Sequence, residues 1–120
     1  MQVVIVGRDT YLSSFIAKSM ERSGYSAACI LYEKDVFSVI AAQNAALVIA
    51  DLETDETERI RFCRGVKAVK NPPKLFIIGS SFEEEAIMLN AGADDWIEKP
   101  YNTEVFLARV SALLRQSINR

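Results

Sequence analysis

The sequence predicts a doubly wound α/β domain, in which one parallel sheet is covered by helices on both faces. Two observations predict it. Strand-like and helix-like segments alternate as five β–α units along the 120 residues, and the links between the segments are short. The length fits one domain, and a hydrophobic fraction of 50% is enough to form a core.

The predicted strands are short apolar runs. The third is apolar throughout, as expected of a strand that is buried on both faces. The five predicted strands are Val3–Val6, Ser26–Leu31, Ala46–Ala50, Leu75–Ile78 and a short strand that contains Trp96 and Ile97.

The predicted helices have apolar residues at helical spacing. They cover residues 10–23, 34–43, 55–69, 83–91 and 103–116. Gly24 is placed to end the first helix, and Thr103 is the predicted N-cap of the last.

Composition excludes several classes of function. The formal net charge is −2, so the domain as a whole does not attract nucleic acid or an anionic membrane. The chain has no histidine, which excludes histidine catalysis and histidine-ligated zinc. No apolar run approaches the roughly 20 residues that span a bilayer, and a cytoplasmic location is therefore expected. Cys29 and Cys63 are expected to be reduced, packed thiols.

Polar residues follow the predicted strands at the edge where such sheets bind ligands. In chain order these residues are Gly7-Arg8-Asp9, Asp51, Gly79-Ser80-Ser81 and Lys99-Pro100. Because the carboxyl ends of parallel strands meet at one edge, we expect a carboxylate, hydroxyls and an ammonium group to converge there.

Four motifs at these positions resemble those of the receiver domain of response regulators, the phosphoacceptor module of two-component signalling. They are VVIVGRD in the first strand, LVIAD ending at Asp51, FIIGSS in the fourth strand, and GADDWIEKPY at residues 92–101. The resemblance covers residues 1–120 as one receiver domain and implies the CheY-like strand order 2-1-3-4-5 with five helices. The ending VFLARVSALLRQ resembles OmpR/PhoB-type regulators, which carry a DNA-binding domain after the receiver, although a similar ending precedes diguanylate cyclase domains.

The resemblance implies roles for individual residues. In that family an aspartate after the third strand accepts a phosphoryl group and holds Mg²⁺ together with two acidic residues after the first strand. A Thr or Ser after the fourth strand and a Lys before Pro contact the phosphoryl oxygens. Asp51 is thus expected at the phosphoacceptor position, Lys99 at the lysine position, and either Ser80 or Gly79 at the hydroxyl position. Trp96 is at the aromatic switch position.

The acidic pair of the family is missing, because Gly7 and Arg8 are at its positions. Asp9 follows the pair and is not expected to reach a metal ion. Like charges about 4 Å apart repel by roughly 4 kcal/mol near a protein surface, and an inward Arg8 repels a divalent ion by up to about twice that. We hypothesise that Arg8 forms a forked ion pair with Asp51 and that Arg8 and Lys99 replace part of the metal's charge. The sequence therefore predicts no cofactor and impaired Mg²⁺-dependent phosphorylation.

The resemblance also implies a homodimer. OmpR/PhoB-type regulators pair through the face formed by the fourth helix, fifth strand and fifth helix. Their salt bridges include an aspartate before the aromatic residue and an arginine in the last helix. Asp95 and Arg109 match these residues, whereas Val105 replaces an acidic one. We therefore expect a dimer interface that depends more on apolar contact.

Three functions are compatible with these patterns. The first is an atypical receiver that controls an output, with DNA contacted only through an attached domain and a sensor histidine kinase as an upstream partner. The second is a conventional receiver that a histidine kinase phosphorylates on Asp51. The third, a flavin or nucleotide enzyme, needs a glycine-rich loop after the first strand, and GRDTYLS has one glycine there. The chain is therefore not expected to be an enzyme.

Overall fold

The computed structural model describes residues 1–118, without the side chains of Thr10 and Ile118, so the last two residues of the expected 1–120 domain lie outside it. Its strands are β1 (Gln2–Gly7), β2 (Ser26–Ile30), β3 (Leu47–Asp51), β4 (Lys74–Gly79) and β5 (Asp95–Glu98). Its helices are α1 (Thr10–Arg22), α2 (Val36–Gln43), α3 (Glu56–Ala68), α4 (Glu85–Ala91) and α5 (Thr103–Ile118), and a 3₁₀ turn, Phe82–Glu84, precedes α4.

The predicted sheet is confirmed. All four strand pairings are parallel, and the strand order is β2-β1-β3-β4-β5. The register places Gly7 opposite Asp51 and Gly79 opposite Glu98. The strands therefore end together, and their C-terminal residues form one edge of the sheet.

The core lies on both faces of the sheet, because alternate residues of each strand point to opposite sides. Val48 and Leu75 point toward α2, α3 and α4, whereas Ile49 and Phe76 point toward α1 and α5. These four side chains are 0% exposed, which is the burial that continuously apolar strands predict.

The helix ends are fixed by short side chains. Asp9 caps α1, and its Oδ1 accepts a hydrogen bond of 3.0 Å from the backbone N–H of Leu12. At α5 the predicted cap was wrong, because Thr103 is already helical. The carboxamide oxygen of Asn102 accepts a hydrogen bond of 3.0 Å from the N–H of Val105 instead.

The cysteine prediction is half correct. Both thiols are free, and Cys63 of α3 is buried in the core. Cys29, however, is exposed, because β2 is an edge strand with partly open faces. Within the described residues, no helix combines the length and the apolarity that crossing a membrane requires.

Candidate functional site

An ion pair between Asp51 and Lys99 lies at the C-terminal edge of the sheet. Asp51 is the last residue of β3, and Lys99 directly follows β5. The Lys99 Nζ donates to both carboxylate oxygens of Asp51, each at 3.0 Å. The Asp51 side chain is 11% exposed and that of Lys99 is 34% exposed, so the ammonium partly covers the carboxylate. The structure thus brings together the two residues that the sequence singled out.

The pair opens into a pocket of about 320 Å³. The loop after β3, the end of β4 and the start of α3 form its other walls. A second ion pair lines it, in which Arg59 Nη2 lies 2.9 Å from Glu84 Oε1 and both side chains are nearly buried. Arg59 also donates to the backbone oxygen of Thr54, so it is fixed within the loop that follows Asp51.

Two of the three positions expected to hold Mg²⁺, Gly7 and Arg8, contribute no carboxylate to the pocket. Gly7 is buried in β1 beside Asp51 and contributes no side chain. Asp9 is exposed, and its carboxylate caps α1. No group of three His, Cys, Asp or Glu side chains in the described part of the chain is close enough to hold a metal ion. Mg²⁺ prefers octahedral oxygen coordination, and both oxygens of Asp51 already accept from Lys99, so these residues do not fit the ion.

The hypothesised fork between Arg8 and Asp51 is not formed. Arg8 is exposed and lines a different pocket, beside Tyr32 and Glu58. The physical reason is local, because β1 ends at Gly7 and Arg8 lies in an exposed bend between β1 and α1. Within residues 1–118, the ion-pair partner of Asp51 is Lys99.

The two candidates for the hydroxyl position are now distinguished by location. Gly79 is the buried last residue of β4, whereas Ser80 is exposed at the rim of the pocket. The position nearest the sheet therefore carries no hydroxyl. Trp96 is 3% exposed, and its indole occupies the space beside Gly79.

Tyr101 extends the electrostatic environment of the pocket. Its ring packs on Phe106 at a centroid distance of 5.0 Å. Partial burial raises the pKa of the Tyr101 phenol above its ordinary value, and the negative charge of Asp51 raises it further. The carboxylate of Asp51 therefore acts electrostatically on the segment that precedes α5 as well as on Lys99.

The residues predicted for a dimer interface lie together on the surface of β5 and α5. Arg109 Nη1 lies 3.2 Å from Asp95 Oδ1 within the same chain, and it also donates to the backbone oxygen of Trp96 at 3.1 Å. Val105 is 45% exposed on α5, and Leu89 on α4 is 40% exposed. This face therefore presents apolar side chains beside an internal ion pair.

Sequence reasoning missed the pair of Arg59 and Glu84. Arg59 belongs to a strongly charged segment of α3, which is typical of a solvated helix face. Glu84 is one of three successive glutamates, and the sequence did not show that a 3₁₀ turn would direct this one toward Arg59. Periodicity alone therefore carried no signal for the pair.

Comparison with known proteins shows what the chain is similar to. Its homologues are response regulators, and its structural neighbours are receiver domains of response regulators, which agrees with the resemblance seen in the motifs, and the CheY-like fold is confirmed. No family model matches the sequence.

The curated relatives of the chain include the response regulator protein GraR. The chain is 27% identical over 117 residues to the response regulator protein GraR of Staphylococcus saprophyticus, a match that covers 97% of this chain and 52% of GraR. The chain thus spans about half the length of the curated relatives it matches.

Two solved structures share the fold closely. The orphan response regulator HP1043 of H. pylori is 25% identical, with a TM-score of 0.80 and coverage of 95% of this chain and 96% of that one. An atypical orphan response regulator described as having a phosphorylation-independent regulatory mechanism is also 25% identical, with a TM-score of 0.80 and coverage of 96% of both chains.

Proposed function

We propose that residues 1–120 form an atypical receiver domain that regulates an output without Mg²⁺-dependent phosphotransfer. Asp51 occupies the phosphoacceptor position, and Lys99 is its permanent partner. Two-component signalling implies a cytoplasmic location and a regulatory rather than enzymatic role. A sensor histidine kinase is a partner only if phosphorylation contributes. The output is DNA binding by an attached domain, which agrees with the half-length match to GraR.

One observation carries the proposal. The carboxylates that would complete a metal site are replaced by Gly7, which has no side chain, and by Arg8, which is exposed and positively charged. Phosphoryl transfer to a carboxylate concentrates negative charge, and a divalent ion ordinarily neutralises it. Without that ion, Lys99 is left to stabilise the charge. The neighbour with a phosphorylation-independent mechanism supports the same conclusion.

Intact mass spectrometry tests the proposal. The chain is incubated with acetyl phosphate or phosphoramidate over a Mg²⁺ titration, and we expect no Mg²⁺-dependent gain of one phosphoryl group. The matched positive control restores the acidic pair with Gly7→Asp and Arg8→Asp, which should create Mg²⁺-dependent phosphorylation. A stable phosphoryl adduct on the unaltered chain that Asp51→Asn abolishes would overturn the proposal.

The second part of the proposal is a homodimer formed by α4, β5 and α5. Leu89 and Val105 supply exposed apolar surface on this face, and Asp95 and Arg109 supply a charged pair beside it. Because the charged pair is satisfied within one chain, apolar burial is the main source of affinity.

Analytical ultracentrifugation at micromolar concentration tests the dimer. Val105→Glu should weaken association more than Arg109→Ala does, because it places a charge within the apolar surface of the proposed interface. Tyr11→Glu is the matched control, since Tyr11 is 85% exposed on α1 and outside this face. A strict monomer, or equal effects of Val105→Glu and Tyr11→Glu, counts against the interface.

A conventional phosphoacceptor receiver is the second candidate. The observation that favours it is the pocket of about 320 Å³ in front of Asp51, with Lys99 beside the carboxylate. The mass spectrometry described above separates the two functions, because only the conventional receiver gains a phosphoryl group on Asp51.

A further inference from the structure

Gly79 is the point at which the Asp51 pocket meets the tryptophan. It lines the pocket, and its backbone oxygen accepts a hydrogen bond of 2.8 Å from the N–H of Lys99. The backbone that carries the ammonium is therefore fixed by this glycine. A shift of β4 at Gly79 would move Lys99 relative to Asp51.

The side of Gly79 that lacks a side chain is filled by Trp96. A Cβ atom placed on Gly79 would lie 2.5 Å from the indole Nε1 and 2.6 Å from Cζ2, distances far below van der Waals contact. The indole is 3% exposed and belongs to the core cluster that includes Met88 of α4. Its position thus depends on the absence of a side chain at residue 79.

Shape rather than hydrogen bonding holds the indole. The Nε1 atom of Trp96 is buried and has no hydrogen-bond partner among the described residues. A buried N–H without a partner is unfavourable, so the close packing against Gly79 must outweigh that loss. At its backbone, Trp96 is connected to the surface, since its oxygen accepts from Arg109, which also pairs with Asp95.

We propose that Gly79 locks Trp96 in the buried position and thereby holds the surface of Asp95 and Arg109 in one conformation, whatever the charge of Asp51. Gly79 is in this sense a positioning residue for Trp96. The lock goes beyond the proposed function, because it concerns the conformation of β5 and not the chemistry of Asp51. A side chain at residue 79 would displace the Trp96 indole from its buried position.

The fluorescence of the chain reports the lock directly, because Trp96 is its only tryptophan. In the unaltered chain we expect blue-shifted emission and weak quenching by acrylamide. Gly79→Thr should shift the emission to the red and increase the quenching constant several-fold. The matched control is Gly7→Ala, which adds a methyl group at the same edge of the sheet, where the nearest atoms are Asp51 O and Ser13 Oγ.

The independence from Asp51 is tested in the same assay. Asp51→Asn, and treatment with acetyl phosphate and Mg²⁺, should leave both the emission and the quenching unchanged. A tryptophan that stays protected in Gly79→Thr, or one that becomes accessible in Asp51→Asn, overturns the lock. Phosphorylation of Asp51 with unchanged fluorescence would overturn the proposed function alone, so the two failures are distinguishable.

If Gly79→Thr does not fold, the lock is tested by a smaller substitution at residue 79, measured with the large or a smaller ring at residue 96. Gly79→Ala should raise the unfolding equilibrium constant roughly tenfold when residue 96 is tryptophan, because overpacking strains the core. In the Trp96→Phe background the same change should have a much smaller effect, since the smaller ring leaves room for the methyl group. Equal effects in the two backgrounds would contradict the lock.

Discussion

Two carboxylate–lysine clusters lie at opposite edges of the sheet, and their surroundings differ. At the N-terminal edge, Asp94 Oδ2 accepts from Lys67 Nζ and, at 2.8 Å, from the backbone N–H of Leu75. Lys67 also donates to the backbone oxygen of Pro73 at 2.9 Å. At the C-terminal edge, both carboxylate oxygens of Asp51 accept from Lys99, and a pocket lies in front of the pair.

The comparison indicates that the Asp94 cluster is a structural contact, whereas the Asp51 cluster is a site whose charge can change. Asp94 joins α3, β4 and the start of β5 through charged and backbone partners together, so its replacement disturbs several elements. Asp51 has a partly exposed ammonium as its partner and open space beside it, so its charge can be altered with little loss of structure. The GADDWIEKP motif thus contains both kinds of residue, with Asp94 structural and Lys99 at the pocket.

Removal of Asp94 should have the largest effect on stability. Asp94→Ala leaves the N–H of Leu75 without its acceptor and removes the carboxylate from the Lys67 ammonium, which keeps its bond to the Pro73 oxygen. We expect a loss of about 3 kcal/mol in the free energy of unfolding. Urea denaturation measures it, and Asp94→Asn is the control that keeps an acceptor. A loss smaller than that of Asp51→Ala would reverse the comparison.

The pair of Arg59 and Glu84 should rank second. Both side chains are nearly buried, so Glu84→Gln leaves Arg59 as a poorly compensated charge next to the pocket. We expect a loss of about 2 kcal/mol, and Arg59→Met combined with Glu84→Gln should recover part of it. Glu83→Gln, on an exposed neighbour, is the matched control in the same urea denaturation. No difference between the two glutamine variants would show that the pair contributes nothing.

The pair of Asp51 and Lys99 should contribute less to the free energy of unfolding. Lys99 is 34% exposed, and water therefore screens the interaction. A double-mutant cycle of Asp51→Asn and Lys99→Met should give a coupling free energy of about 1 kcal/mol, measured by urea denaturation. A coupling larger than that of Asp94 and Lys67 would indicate that the Asp51 pair is mainly structural.

The smallest effect should be an electrostatic change in the pKa of Tyr101. The pKa of Tyr101 is raised by burial and by the charge of Asp51, so Asp51→Asn should lower that pKa, whereas Asp94→Asn should not. Because folding favours the neutral phenol, this contribution to stability is present below the unfolded pKa of about 10 and is lost as the pH rises through the raised folded value. Carbon-13 NMR titration of the tyrosine ring measures the shift, and an unchanged pKa in Asp51→Asn would contradict the predicted coupling.

The sequence predicted the layers of the fold because its strands are unambiguous. Every helix and strand was expected within two residues of its observed bounds, and β3 was expected to be buried on both faces. The cap of α5 was missed because Asn102 and Thr103 are both good caps, and only the helical backbone of Thr103 decides between them.

The site was predictable only where strand ends fix it. Asp51 and Lys99 were expected to converge because parallel strands end together, and they do. Arg8 was hypothesised to turn toward Asp51, but the direction of a side chain in a loop depends on a turn that no periodicity specifies. The packing of Trp96 against Gly79 could not be predicted from the sequence either, since it depends on the register of β4 and β5.

Binding of a divalent ion at Asp51 is the most direct measurement. Mn²⁺ is a paramagnetic substitute for Mg²⁺ and broadens the amide NMR signals of residues near it. We predict no broadening around Asp51 and Gly79 at concentrations that broaden these signals in the chain carrying Gly7→Asp and Arg8→Asp. Broadening centred on Asp51 in the unaltered chain, and lost in Asp51→Asn, would contradict the proposal that this receiver works without the metal.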